Sequence, residues 1–243
     1  MSTYFEQQAY QLRCEWGPEG VRALAPSSDA IIIVDVFSFT TAVDVAVSRG
    51  ARVYPYRWND ERAAAYAQEK GALLAAGSRR DPQALSLSPR SLLKLEPGAA
   101  IVLPSPNGST LSLATGSVPT FAGCLRNASA VANAAAALGP RISVIPAGER
   151  WESDGSLRPG LEDLLGAGAI LHALPGTRSP EAEAAVITFL HFRERLAKVL
   201  AACSSGLEAA DRGSPENVQL AAAWDTSQAA ARLMDGAYQN EAG

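Results

Sequence analysis

The chain has 243 residues, of which 47% are hydrophobic and 19% are charged, and its net charge is −4. This length and apolar content suit the core of one ordinary domain, so we expect a single α/β domain over residues 1–243. The mild acidity and the lack of lysine and arginine runs exclude the basic surface typical of nucleic-acid binding. No apolar stretch approaches the roughly 20 residues of a membrane span.

The first residues and the cysteine and histidine content further restrict the class of protein. The first ten residues show no basic start followed by an apolar run, from which we expect no signal peptide and a cytoplasmic protein. An odd, widely spaced set of cysteines (Cys14, Cys124 and Cys203) argues against a disulfide framework or a zinc site. The presence of only two histidines, His172 and His191, argues against a histidine-rich metal centre.

Strand and helix patterns alternate through the first two thirds of the chain. Residues 7–16 alternate enough to predict an extra strand near a sheet edge, and the apolar run Ala30–Val34 predicts a strand buried on both faces. A helix over 40–48 then ends at Gly50. The pattern continues with strand 52–54, helix 59–70, strands 72–75, 99–103 and 118–121, helix 127–138 and strand 141–145.

The last third of the chain shows a different pattern. Three helices are predicted over 159–172, 180–202 and 215–224, each with a proline near its start, where the missing N–H costs nothing. The preceding strand–helix alternation is typical of βαβ units and a sheet covered on both faces. The sequence therefore predicts a three-layer αβα fold with a mainly parallel or mixed sheet and a helical C-terminal region.

Polar residues follow four of the predicted strands. Ligands bind at the carboxyl ends of parallel strands, so the loops that leave those strands should meet on one rim. These loops hold Asp35, residues 77–80, residues 104–110 and residues 146–150. Together they supply acids, small hydroxyls, tight turns and arginines, which are the components of a metal-assisted anion site.

The string Ser-Pro-Asn-Gly-Ser-Thr at 105–110 has two interpretations. Asn107 and Gly108 form a turn pair, and Ser109 or Thr110 can cap the following helix, whose N–H groups attract phosphate or carboxylate. The alternative is an ordinary strand-to-helix turn with a cap. The role of Asp35 is equally open, because a carboxylate at this position could be either a magnesium ligand or a helix cap.

Other candidate residues also have a structural alternative. Thr40 and Thr41 could donate hydrogen bonds to an anion or simply cap their helix. Glu149 follows a strand and a glycine, so it is either an accessible site residue or a solvated loop glutamate. Glu162 and Asp163 lie in the first turn of a predicted helix, where the helix dipole favours acids regardless of function.

Several catalytic signatures are excluded. No cysteine is followed by the Cys-x5-Arg pattern, and Asp35 lacks a second aspartate two residues on. Gly-x4-Gly-Lys-Ser/Thr, Gly-x-Gly-x-x-Gly after a strand, and Gly-x-Ser-x-Gly do not occur. A covalent phosphoenzyme is therefore not indicated, and direct attack by a metal-activated water fits the remaining residues.

Four segments in order resemble the 2-phosphosulfolactate phosphatase family of coenzyme M biosynthesis. They are VDVFSFTTAVDVAVSRGARVYP, LPSPNGSTLS, VIPAGERWESDGSLRPGLEDLLGAGAIL and ACSSGLEAADRGSPENVQLAAAWDTS. The resemblance covers most of the chain and implies magnesium-dependent hydrolysis of 2-phospho-3-sulfolactate to 3-sulfolactate and phosphate. A homodimer is the default expectation for an enzyme of this kind.

The resemblance also implies roles for individual residues. Asp35, Glu149, Glu162 and Asp163 become the catalytic candidates. Magnesium would be held by Asp35, Glu149 and Asp163. The substrate would be bound by Thr40, Thr41, Arg79, Asn107, Gly108, Ser109, Thr110 and Arg150, with Arg79 or Arg150 pairing the sulfonate or carboxylate.

The chain departs from the family pattern at three places. Phe37 and Ser38 stand where the family has an arginine, and Ser78 stands where it has a glutamate. Ser86 and Leu87 replace a Gly-Asn pair. These departures leave two alternatives, a family member that acts on another phospho-acid and a non-catalytic relative that binds anions.

Overall fold

The computed structural model of the chain describes residues 3–78, 81 and 84–241. The strands, in chain order, are β1 Leu12–Cys14, β2 Ala30–Val34, β3 Arg52–Tyr56, β4 Leu73–Leu74, β5 Ala100–Pro104, β6 Thr120–Gly123, β7 Ile142–Pro146, β8 Glu149–Arg150, β9 Leu157–Arg158, β10 Ala231–Met234 and β11 Ala237–Asn240. The α-helices are α1 Gly17–Leu24, α2 Phe39–Val47, α3 Glu61–Glu69, α4 Gly108–Ala114, α5 Ala128–Ala136, α6 Leu161–Ala173, α7 Pro180–Phe192, α8 Leu196–Ala202, α9 Ser204–Asp211 and α10 Pro215–Ala221.

The main sheet has the strand order β1-β7-β2-β6-β10-β11-β3-β5-β4. One parallel block consists of β1, β7, β2 and β6, and a second parallel block consists of β3, β5 and β4. The hairpin β10–β11 lies between them and pairs antiparallel with both β6 and β3. Successive antiparallel pairings at β6–β10, β10–β11 and β11–β3 reverse the strand sense, so the two blocks run in opposite directions. The predicted mainly parallel or mixed sheet is confirmed.

Helices cover both faces of this sheet. Side chains alternate across a strand, and in β2 Ile32 and Val34 pack with α5 and α6, whereas Ile31 and Ile33 pack with α1 and α4. In the second block α2 and α3 likewise pack on opposite faces of β3 and β5. This is the three-layer αβα arrangement that the sequence predicts.

The C-terminal third is less uniformly helical than predicted. The predicted helix over 180–202 is interrupted after Phe192 by the 3-10 turn Arg193–Arg195, and the helix predicted to 224 ends at Ala221. The chain then returns to the sheet as β10 and β11. Their turn holds Asp235 and Gly236 at φ values of 51° and 81°, the left-handed conformation of a two-residue hairpin turn.

One edge of the sheet agrees with prediction. The strand expected within 7–16 is β1, the outermost strand beside β7, and β4 forms the other edge. Helix α1 was not predicted, although Pro18 near its start is a recognisable signal. Within the described part of the chain, no helix is long and apolar enough to cross a membrane.

Candidate active site

Asp35 joins the loop after β2 to the start of α4. Its Oδ1 accepts the backbone N–H groups of Ser38 at 3.0 Å and Phe39 at 3.2 Å, which caps α2. Its Oδ2 accepts the N–H of Gly108 at 2.9 Å. A Cβ at position 108 would lie 2.3 Å from the Phe39 ring and 2.7 Å from Asp35 Oδ2. Only glycine therefore fits where these two loops meet.

Asp163 joins the loops that leave β2 and β7. It lies in the first turn of α6 and is 3% exposed. Its Oδ1 accepts the N–H of Val36 at 2.7 Å, and its Oδ2 accepts the N–H of Gly148 at 2.8 Å. The carboxylate therefore holds the two loops in place by hydrogen bonds to their backbones.

Glu149 is the most accessible of the four acids that the sequence predicts at the site. It begins the small hairpin β8–β9, is partly buried, and its Oε2 accepts the side-chain amide of Asn107 at 3.3 Å. Burial, followed by the charges of Asp35, Glu162 and Glu208, raises the pKa of Glu149 to about 8, although Arg158 acts in the opposite direction. A partly accessible acid with a raised pKa is typical of a functional site.

Glu162 completes the acidic cluster. It is 1% exposed, and its carboxylate contacts the hydroxyl of Ser205 and the sulfur of Cys203, the latter at 3.8 Å. Burial raises the pKa of Glu162, while Ser205 and Arg158 lower it. Burial, followed by the charge of Glu162, raises the pKa of Asp163 well above its usual range. Asp35, Glu149, Glu162 and Asp163 thus form one electrostatic group.

Glu149 lies between two clefts. The larger holds about 500 Å³, partly open to solvent, and is lined by Val36, Phe37, Ser38, Pro89, Glu149, Ser205, Glu208, Ala209, Arg212, Ser214, Asn217 and Val218. The smaller holds about 300 Å³ and is lined by Pro18, Pro106, Asn107, Thr110, Leu111, Ala147, Glu149, Arg150 and Leu157. A group bound in either cleft would therefore contact the Glu149 side chain.

A profile of the family described as 2-phosphosulpholactate phosphatase matches residues 18–236. The chain belongs to this family. A curated 2-phosphosulfolactate phosphatase of Methanothermobacter thermautotrophicus is 32% identical over 162 residues, which cover 66% of this chain and 67% of that protein. The resemblance carried by the four sequence segments is confirmed, and with it the enzyme class of a phosphoric monoester hydrolase.

In the structure, several residues that were predicted to bind the substrate form hydrogen bonds with the backbone instead. Thr40, Thr41 and Ser109 are fully buried. Their hydroxyls donate to the carbonyls of Asp35 at 2.9 Å, Val36 at 2.9 Å and Leu103 at 3.0 Å, respectively. The Gly108 N–H is engaged by Asp35. At these positions the geometry favours turn stabilisation, the alternative that the sequence left open.

Other predicted residues do line the clefts. Thr110 is partly buried, and within the described residues its hydroxyl has no hydrogen-bond partner. Arg150 is exposed at the smaller cleft and donates to the Gly155 carbonyl at 2.9 Å. Asn107 contacts Glu149 directly. Arg79 lies outside the described residues.

Five residues that line the larger cleft or lie beside Glu149 are not among the site residues that the sequence predicts. Ser38 is 5% exposed, and its hydroxyl has no hydrogen-bond partner among the described residues. Arg158 is the Cα partner of Glu149 across the β8–β9 hairpin. Ser205, Glu208 and Arg212 come from α9 and its C-cap. Only tertiary packing brings α9 to this cleft, so no local pattern could have identified its residues.

The acids suit a hard cation in their chemistry, because magnesium prefers oxygen ligands. Over the described ranges, however, no three His, Cys, Asp or Glu side chains are grouped so that they could hold a metal ion. Asp35 and Asp163 already accept backbone N–H groups with both of their oxygens. This leaves Glu149 as the acid best placed to contact a cation.

Proposed function

We propose that this chain hydrolyses 2-phospho-3-sulfolactate to 3-sulfolactate and phosphate. The name and the identity of the Methanothermobacter relative support this substrate. The observation that carries the proposal is the convergence of loops from β2, β5 and β7 on Glu149, which lies between two clefts with three further carboxylates nearby.

Magnesium dependence is part of the proposal. The cluster would carry four negative charges if fully ionised, and burial and mutual repulsion raise the pKa values of Glu149, Glu162 and Asp163. A divalent cation would relieve that repulsion. Magnesium typically takes one or two carboxylates and completes its shell with water and substrate oxygens. Glu149 would hold it, with a contribution from an Asp35 oxygen that also accepts a backbone N–H. The ion would neutralise phosphate charge and lower the pKa of a bound water.

The chain's own residues position these groups. The Asn107 amide orients Glu149, and the carboxylates of Asp35 and Asp163 fix the loops around it. Since the Ser38 hydroxyl lines the larger cleft without a partner among the described residues, it is available to the substrate.

Direct attack by water fits this site better than attack by a cysteine. Cys14 and Cys124 are buried in the core, and burial raises the pKa of Cys124 to about 12. Burial also raises the pKa of Cys203, which lies beside Glu162. Thiolates are the nucleophilic form of cysteine, so these thiols are poor nucleophiles at neutral pH.

Phosphate release from 2-phosphosulfolactate and a panel of related phospho-acids, with magnesium and with EDTA, tests the proposal. We expect turnover of 2-phosphosulfolactate that requires magnesium. If no compound of a broad panel is hydrolysed at any magnesium concentration, the hydrolase proposal is wrong for this chain.

A second candidate is a non-catalytic anion-binding relative. Two observations favour it: Asp35 takes the Gly108 N–H, and no three acids are grouped to hold a metal among the described residues. Binding of phosphate or sulfonate that is independent of magnesium and without turnover would support it. A role in coenzyme M biosynthesis, a cytoplasmic location and a homodimer stay predictions from the sequence.

A further inference from the structure

Glu208 lies between two arginine side chains, Arg212 in the larger cleft and Arg158 in the open pocket on the other side of Glu208. Its Oε2 is 3.7 Å from a guanidinium nitrogen of Arg158, and its Oε1 pairs with Arg212 one helical turn later. Glu208 and Arg212 both line the cleft. The charge of Glu208 also acts on Glu149, whose pKa it raises. The carboxylate of Glu208 is therefore held in the cleft, close to the acidic cluster.

The two arginines differ in how firmly they are held. Arg158 is 15% exposed, donates to the Ser205 hydroxyl at 3.2 Å and lies 5.7 Å from the centre of the Trp151 ring. Arg212 is 58% exposed and lines the cleft. One guanidinium is thus fixed by its neighbours, and the other is free to adjust to a ligand.

We propose that Arg158 and Arg212 bind the non-transferred anionic group of the substrate, a sulfonate or carboxylate, and that Glu208 occupies this subsite when substrate is absent. The proposal rests on the proposed function and names the part of the substrate that the cleft selects. Guanidinium forks match the oxygens of both groups. The Ser38 hydroxyl in the same cleft, which has no partner among the described residues, supplies a further hydrogen bond.

This arrangement makes Glu208 a competitor of the substrate. The anionic group of the substrate must displace the Glu208 carboxylate. It then pairs with the same two guanidinium groups, those of Arg158 and Arg212. Removing the charge of Glu208 should therefore strengthen the binding of acidic substrates, whereas removing the charge of Arg212 should weaken it. If the ion pair were only structural, both substitutions would loosen α9, and they would not change substrate binding in opposite directions.

Steady-state kinetics on 2-phosphosulfolactate and on ethyl phosphate, which lacks a second anionic group, test the proposal. Arg212→Gln should lower the ratio of kcat/KM for 2-phosphosulfolactate over ethyl phosphate at least tenfold, chiefly through KM. Glu208→Gln should lower KM for 2-phosphosulfolactate severalfold. Arg22→Gln is a matched control, since Arg22 is 57% exposed and pairs with Glu19 one turn earlier, and it should leave the ratio unchanged.

Calorimetric binding of 3-sulfolactate separates this inference from the proposed function, because it needs no turnover. We expect Arg212→Gln to weaken binding at least tenfold and Glu208→Gln to tighten it. Equal effects of Arg212→Gln on both substrates, or unchanged or weaker binding by Glu208→Gln, overturn the subsite. A wild-type chain that binds 3-sulfolactate in this pattern but releases no phosphate would contradict the proposed function and leave the subsite standing.

Discussion

The carboxylate of Asp35 accepts the backbone N–H of Gly108 at 2.9 Å and so connects two halves of the sheet that run in opposite directions. The sequence predicted this meeting on the assumption that β2 and β5 are parallel strands with a common carboxyl edge. They belong instead to separate blocks. The contact exists because α4 begins within a few residues of β5 and packs close to β2.

Replacing Gly108 with alanine tests this contact. The new Cβ would lie 2.3 Å from the Phe39 ring and 2.7 Å from Asp35 Oδ2, closer than side chains pack. We expect the free energy of unfolding to fall by about 3 kcal/mol, the upper end of typical overpacking costs, and phosphatase activity to fall with it. Chemical denaturation of the wild type and the variant measures the change.

Leu113→Ala provides the control within the same helix, because Leu113 is 41% exposed. Leu113→Ala should lower the free energy of unfolding by much less than Gly108→Ala. If Gly108→Ala were as stable as the wild type, the close approach of α4 to the loop after β2 would be wrong.

The raised pKa of Glu149 predicts how its removal changes stability. An acid whose pKa is about 8 in the folded chain and about 4.5 in the unfolded chain binds its proton more tightly when folded. Its contribution to stability is therefore lost as pH rises from about 4.5 to about 8. Glu149→Gln should stabilise the metal-free protein at pH 9 by on the order of 2 kcal/mol, since one pKa unit corresponds to about 1.36 kcal/mol and neighbouring groups relax.

The same comparison at pH 5 should show little difference, because Glu149 is then protonated in the folded chain. Denaturation midpoints in EDTA at both pH values give the measurement. Glu152→Gln, an exposed acid three residues on, should have no pH-dependent effect. Equal stabilisation by Glu149→Gln at pH 5 and pH 9 would show that folding does not raise the pKa of Glu149.

Magnesium should stabilise the folded chain through the same carboxylates. A ligand that binds only the folded state raises the free energy of unfolding by RT ln(1 + [L]/Kd). We expect a rise in Tm with magnesium that is larger at pH 8 than at pH 5, because protons compete with the cation. The rise should shrink in Glu149→Gln but not in Glu152→Gln. If magnesium raised the Tm of Glu149→Gln as much as that of the wild type, the cation would bind elsewhere.

The sequence predicted those elements that have strong local patterns. The apolar run of β2 and the Asp60 cap and Gly71 end of α3 matched the structure because local preference and tertiary packing agree there. The β10–β11 hairpin was missed although Asp235 and Gly236 form a recognisable turn pair. Its strands are short and carry few of the β-branched residues that usually mark strands.

The candidate site was predicted in part for a similar reason. Asp35, Glu149, Glu162 and Asp163 follow strands or begin a helix, and such positions can be recognised from sequence. Their detailed contacts could not be derived, since the N–H groups that Asp35 and Asp163 accept come from other loops. Residues of α9 reach the cleft only through packing between distant helices.

The most direct test of the account compares phosphate release from 2-phosphosulfolactate by the wild type, Glu149→Gln and Glu152→Gln in the presence of magnesium. We expect turnover by the wild type and near wild-type rates for Glu152→Gln. Because Glu149 would hold the magnesium ion, Glu149→Gln should lose at least about 100-fold in kcat/KM, as much as the loss of a positioned acid or base costs. Undiminished phosphate release by Glu149→Gln would contradict the placement of the chemistry between the two clefts.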